Sequence, residues 1–156
     1  MKKNSPQNDL PIIPVIWMLR AVFCQIMITI GARPAESGGI LLGPIGSTDI
    51  TDFYFDVTAR CTAGTYSPDH VTLRRLMKEQ WMPAGLDMKG FVHSHPPGYE
   101  TLSAGDLRYI ARLLERNPDM SSFAAPVVLP DQSRMRAIVV LRAEPNVPRI
   151  TNIRFF

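Results

Sequence analysis

The chain has 156 residues, 46% of them hydrophobic and 20% charged, with 17 basic against 14 acidic side chains, a formal net charge of +3 and two cysteines. That length suits one domain able to bury enough surface to fold unaided, and the composition excludes a collagen, a coiled coil, a low-complexity chain and a disulfide scaffold. The charge is spread along the sequence, which predicts weak attraction to acidic surfaces and no nucleic-acid footprint.

Residues 1–9 are expected to form a tail, and residues 10–156 one domain. Met1-Lys2-Lys3 precedes an apolar stretch over residues 10–30 that has the look of a secretory signal or a membrane span. Pro11 and Pro14 break its start, Arg20 puts a charge near its middle and Gln25 adds a polar interruption, all of which argue against both. The remaining reading is a short strand over 12–16 and a largely buried helix over 17–30, with no membrane partner. Cys24 and Cys61 lie far apart with no CxxC spacing. They are expected to be reduced thiols in a reducing compartment, which predicts a cytoplasmic protein.

Gly31 to Ala35 reads as a helix stop and turn, and the glycine-bounded apolar run over 38–43 as a central strand. Aromatic and β-branched residues alternating over 50–58 predict a second strand. Ser67 as N-cap and Pro68 in the first turn predict a helix to about Trp81, closed by Pro83 and Gly85. A strand over 88–93 runs into an irregular loop, and a helix over 103–116 follows. Strands are predicted over 123–129, 135–141 and 150–156. This order describes a mixed α+β domain, its helices flanking a mixed, curved β-sheet.

His93 and His95 stand two apart, so at the end of a strand both imidazoles project to one face. Asp106 falls in the first turn of the next helix. Two imidazoles and a carboxylate suit a catalytic zinc site whose fourth position stays open, and such a site supplies a nucleophile at neutral pH. Taken alone, His-Ser-His is a weak metal signal, and Ser103-x-x-Asp106 more often marks a helix N-cap. The two readings are compatible, because capping would hold Asp106 in place.

His93-Ser94-His95-Pro96, six residues, then Ser103-Ala104-Gly105-Asp106 resembles the JAMM motif of the JAB/MPN zinc metalloproteases, HxHPx(6)SxxD. Glu36-Ser37-Gly38-Gly39-Ile40-Leu41-Leu42-Gly43 resembles the E-x-G-G-x-L-x-G segment that carries that family's catalytic glutamate. The resemblance covers nearly the whole chain and implies the cytidine-deaminase-like JAB/MPN architecture. It implies Zn2+ held by His93, His95 and Asp106, Glu36 as general base and acid, and Ser103 as a donor to the oxyanion, a role that competes with its cap. Gly38 and Gly39 are expected to let the Glu36 segment approach the metal loop. The family's enzymes commonly cut after the terminal glycine of ubiquitin-like modifiers. The implied activity is therefore deconjugation or precursor processing by a stand-alone prokaryotic enzyme, with associated adenylating or conjugating enzymes as further partners. The loop over 97–102 and the segment over 48–58 are candidates for the edge that takes the substrate tail. Two other readings are a zinc hydrolase acting on a sulfur-carrier protein conjugate and an inactive MPN-type scaffold. The DNA-repair-associated RadC family has a similar HxHPxG motif, but the segment from Glu36 to Gly43 points away from it.

Overall fold

The computed structural model describes residues 11–62 and 65–156; the expected tail over 1–9 lies outside them. Strand β1 (Ile16–Met18) leads into helix α1 (Arg20–Thr29), followed by β2 (Gly38–Pro44) and β3 (Asp52–Phe55). A hairpin of β4 (Arg60–Thr62) and β5 (Thr65–Ser67) precedes helix α2 (His70–Leu76), which continues as a π-helical turn over Met77–Trp81. Then come β6 (Leu86–Ser94), α3 (Ala104–Arg116), β7 (Ser122–Ala124), β8 (Val127–Leu129), β9 (Arg134–Arg136), β10 (Ile138–Leu141), β11 (Glu144–Ile150) and β12 (Ile153–Phe155). Eight strands form one mixed sheet in the order β11-β10-β7-β6-β2-β3, with β8 and β9 attached beside the end of β6. β6 pairs antiparallel with β2 and parallel with β7 and then β8.

Period-2 alternation splits the strands between two cores. Ile40, Leu42, Phe91, Val127, Leu129, Ile138 and Val140 face α2, α3 and Trp81. Leu41, Val92, Val128 and Val139 face α1 and the β1 segment. Both faces of the central strands are therefore buried, which is why β2 is apolar almost without interruption. His93 follows Phe91 by two residues and so lies on the α3 face, while Ser94 lies on the other.

Several expected boundaries shift. Helix α1 starts at Arg20, not residue 17, and only one stripe of it is buried, Val22, Ile26 and then Ile30, whereas Ile28 is exposed. Arg20 rests over the Phe155 ring at 4.5 Å, which accommodates a charge within the apolar run. Helix α2 is capped by Asp69, whose carboxylate accepts from the main-chain N–H groups of Val71 and Thr72, because Ser67 is already paired with Arg60 in the hairpin. β11 contains Pro145 and Pro148, residues that read as turn formers. It tolerates them as an edge strand, where a missing N–H breaks little of the ladder. Among the described residues no helix is long and apolar enough to cross a membrane.

Candidate metal centre

The end of β6 and the first turn of α3 bring three ligand groups together. His93, His95 and Asp106 each offer one ligand atom, and these atoms lie within 4.8 Å of one another. His93 Nε2 is 3.4 Å from Asp106 Oδ1, and His95 Nε2 is 3.6 Å from Asp106 Oδ2. Ligands about 2.0–2.1 Å from a tetrahedral zinc stand about 3.3 Å apart, and each imidazole lies near that distance from one of the two carboxylate oxygens. The two Nε2 atoms are 2.6 Å apart, a hydrogen bond in which one ring's N–H meets the other's lone pair, and a metal would take the place of that shared hydrogen. The donor set therefore fits a divalent metal after a small opening of the imidazole pair.

Loop chemistry orients His95. Tyr99 N–H donates to the Pro96 carbonyl at 3.2 Å, Pro97 occupies the first corner of that turn, and Gly98 the second with φ of 87°. This is a type II turn, whose second corner favours glycine. It returns the Tyr99 carbonyl to within 3.0 Å of His95 Nδ1. A proton on Nδ1 donates there and leaves the Nε2 lone pair for a metal. His93 is set by packing instead: its ring stacks on Tyr66 at 5.7 Å and leans on Phe91 at 5.2 Å.

The Ser103 hydroxyl accepts from Asp106 N–H at 3.1 Å and donates to Asp106 Oδ2 at 2.7 Å, and Ser103 N–H donates to the same oxygen. This capping box holds the carboxylate toward the imidazoles. Burial disfavours the Asp106 charge, but hydrogen bonds from His93, His95 and Ser103 outweigh it and hold the carboxyl far below the usual range. Burial likewise opposes protonation of His95, and its bonds to Asp106 and Tyr99 together with the Glu36 charge raise its pKa nonetheless. The pocket is one that attracts a cation.

Glu36 is 8% exposed and lies close enough to His93, His95 and Asp106 to sense all three electrostatically. Burial pushes its carboxyl up; the two imidazoles and a main-chain hydrogen bond from Tyr66 oppose the rise, and Asp106 adds to it. The next residue fixes its position. Ser94, fully buried on the far face of β6, accepts from Ser37 N–H at 3.0 Å, and its own N–H donates to the Ser37 carbonyl at 2.8 Å. The first residue after Glu36 is thus clamped to the residue between the two histidines. The glycines serve a different approach from the one expected. A Cβ on Gly38 would lie 2.6 Å from the Tyr66 ring and one on Gly39 2.3 Å from the Tyr54 carbonyl. They admit Tyr66 and β3, and Tyr66 in turn covers His93.

Tyr66, Ser94, Tyr99 and Glu100 are not singled out by the sequence motifs. Glu100 binds Arg134 at 2.8 Å, Gln132 at 3.2 Å and also Arg136, fastening the metal loop to β9 and the turn before it. Its residue neighbour supplies the carbonyl that sets His95. Glu100→Ala is expected to leave circular dichroism unchanged and weaken zinc affinity by up to about 10-fold, the low end of the loss for a direct partner of a ligating histidine, because it acts through the Tyr99 carbonyl. Calorimetric titration with zinc measures it; unchanged affinity would remove Glu100 from the support of the site.

The model of the family described as prokaryotic homologs of the JAB domain matches residues 28–148, spanning all of these side chains. Three solved structures share the fold. A protein from Desulfitobacterium hafniense is 17% identical, with a TM-score of 0.65 over 91% of this chain and 93% of its own. One from Salinibacter ruber is 20% identical, with a TM-score of 0.58 over 90% and 92%. A JAB1/MPN domain protein from Archaeoglobus fulgidus is 14% identical, with a TM-score of 0.51 over 90% and 97%. No curated protein matches the chain.

Proposed function

The chain belongs to the family of prokaryotic JAB domains, and from that premise we propose that it is a zinc-dependent peptidase cutting the bond after the carboxy-terminal glycine of a ubiquitin-like modifier, in a conjugate or a precursor. The observation that carries this reading is the convergence of His93, His95 and Asp106 beside a buried carboxylate, Glu36. A structural metal site would not need the fourth group.

When bound, zinc supplies a Lewis acid that polarises the scissile carbonyl and acidifies a water. Glu36 takes the proton from the attacking water and returns it to the departing amine. Its raised pKa makes it a stronger base for the first of these transfers than an ordinary carboxylate. His95 keeps its Nε2 lone pair directed inward through the Tyr99 carbonyl. Ser103 donates to Asp106 in the resting arrangement and serves the oxyanion when its hydroxyl turns from that carboxylate. β3 supports a site for the substrate tail: it is an edge strand, and its end at Phe55 pairs with Gly39, three residues after Glu36. An extended glycine-terminated tail added there gains main-chain hydrogen bonds without requiring a deep pocket.

The test is incubation with a panel of linear and isopeptide-linked ubiquitin-like modifier fusions, each with and without a chelator, read by mass spectrometry. Cleavage after the terminal glycine that the chelator abolishes is expected. Cleavage elsewhere, or none across the panel by zinc-loaded protein, would contradict the assignment.

A further inference from the structure

A cleft of about 730 Å³ runs between α2 with its π-helical turn and α3, on the far side of Tyr109 from the metal centre. We infer that this cleft docks an acidic polypeptide segment of another protein, one that carries apolar anchor side chains. Its floor is apolar, with Met77, Met88, Trp81 and Leu113 among the side chains that line it. Methionines adapt to anchors of varied shape, and an aromatic floor gives them a broad surface to bury.

The rim decides what kind of partner fits. Arg74 and Lys78 stand four residues apart on one wall, and Arg112 and Arg116 four apart on the other. All four are exposed, none of the residues lining the cleft is acidic, and among the described residues none of the four makes an ion pair. Like charges at this spacing repel along an α-helix, as Arg112 and Arg116 do on α3. Both walls thus present cations to the cleft that acidic side chains from outside would pair with, and apolar anchors would fill the space between. A second copy of this chain does not fit, because a two-fold contact would set four cations against four. A lipid surface fits less well, since the Trp81 floor is only 9% exposed and recessed behind the basic rim, within reach of a side chain but not of a headgroup plane.

The cleft is separate from the chemistry described above. Tyr109, one turn beyond Asp106, closes the near end against His70 at 5.3 Å and Phe91 at 5.8 Å, and Phe91 stands between it and His93. A segment bound here leaves the metal ligands uncovered.

The experiment selects a random phage-displayed peptide library on the full chain, with counter-selection on Arg112→Glu/Arg116→Glu, and measures the enriched peptides by fluorescence on a Trp17→Phe background that leaves Trp81 as the one tryptophan. Enriched peptides are expected to combine Asp and Glu with large apolar residues, to shift Trp81 emission, and to bind the double variant at least about tenfold more weakly, as loss of complementary charge at a rim predicts. Arg74→Glu/Lys78→Glu is expected to weaken them similarly, which guards against a folding defect in either variant. Failure to enrich, basic peptides, equal binding to both variants or a silent Trp81 would overturn the inference. Vesicles of phosphatidylcholine and phosphatidylserine sedimenting with the chain through the same arginines would overturn it in favour of a lipid surface.

Discussion

Glu36→Gln is expected to purify with the same zinc content as the parent and to cleave its substrate about 10²- to 10⁴-fold more slowly, the contribution typical of a positioned general acid–base group. The amide keeps the size of the side chain and can still accept from the Tyr66 main chain, so β2 stays in register with β6 through Ser37 and Ser94. What disappears is the ability to take and return a proton. The loss should fall on kcat with KM little changed, because Glu36 acts on the reacting atoms and not on the substrate tail. Zinc analysis and steady-state kinetics on one preparation measure both. Full activity would remove Glu36 from the mechanism, and loss of zinc would make it a ligand instead.

Removing a ligand should have the opposite signature. His95→Ala and Asp106→Asn are each expected to lower zinc affinity by more than about 100-fold, beyond the usual cost of losing an outer partner, with activity falling in step. Asparagine at position 106 can still accept from Ser103 N–H, so the helix cap survives while the charge goes. Ser103→Ala is the converse: it loses the cap hydroxyl, at a cost of about 1 kcal/mol of stability, and keeps all three ligands. Because a bound metal stabilises only the folded chain, zinc should raise the melting temperature of the parent and of Ser103→Ala but not of the two ligand variants. Equal thermal shifts in all four proteins would contradict His95 and Asp106 as ligands.

The ligand cluster was legible in the sequence because its geometry is local. Two histidines at strand spacing and an acid in the first turn of the following helix converge with little help from the rest of the chain. The loop between them was legible as irregular, and Pro97-Gly98 also encodes the turn that returns the Tyr99 carbonyl to His95. Glu36 was reached only through resemblance; nothing in its immediate neighbours places it beside residues that lie 57 and 59 positions later. The supports of the site come from still less visible pairings. Glu100 meets Arg136 across 36 residues, and Ser94 meets Ser37 across 57, contacts made by sheet order and not by spacing. Tyr66 was hidden because its hairpin is short, and β11 because its prolines mask an edge strand. The half-exposed α1 shows a limit of hydrophobicity itself: the run over 20–30 is apolar enough to suggest burial on all sides, yet the sheet has room for one stripe.

The most direct test is a zinc titration of chelator-stripped protein, with the initial rate of modifier-fusion cleavage read at each addition. The rate should start near zero, rise in proportion to added zinc and reach its plateau at about one equivalent per chain, as a single three-ligand site requires. Cleavage by the stripped protein, or a rate indifferent to zinc through that equivalence point, would contradict a catalytic metal held by His93, His95 and Asp106.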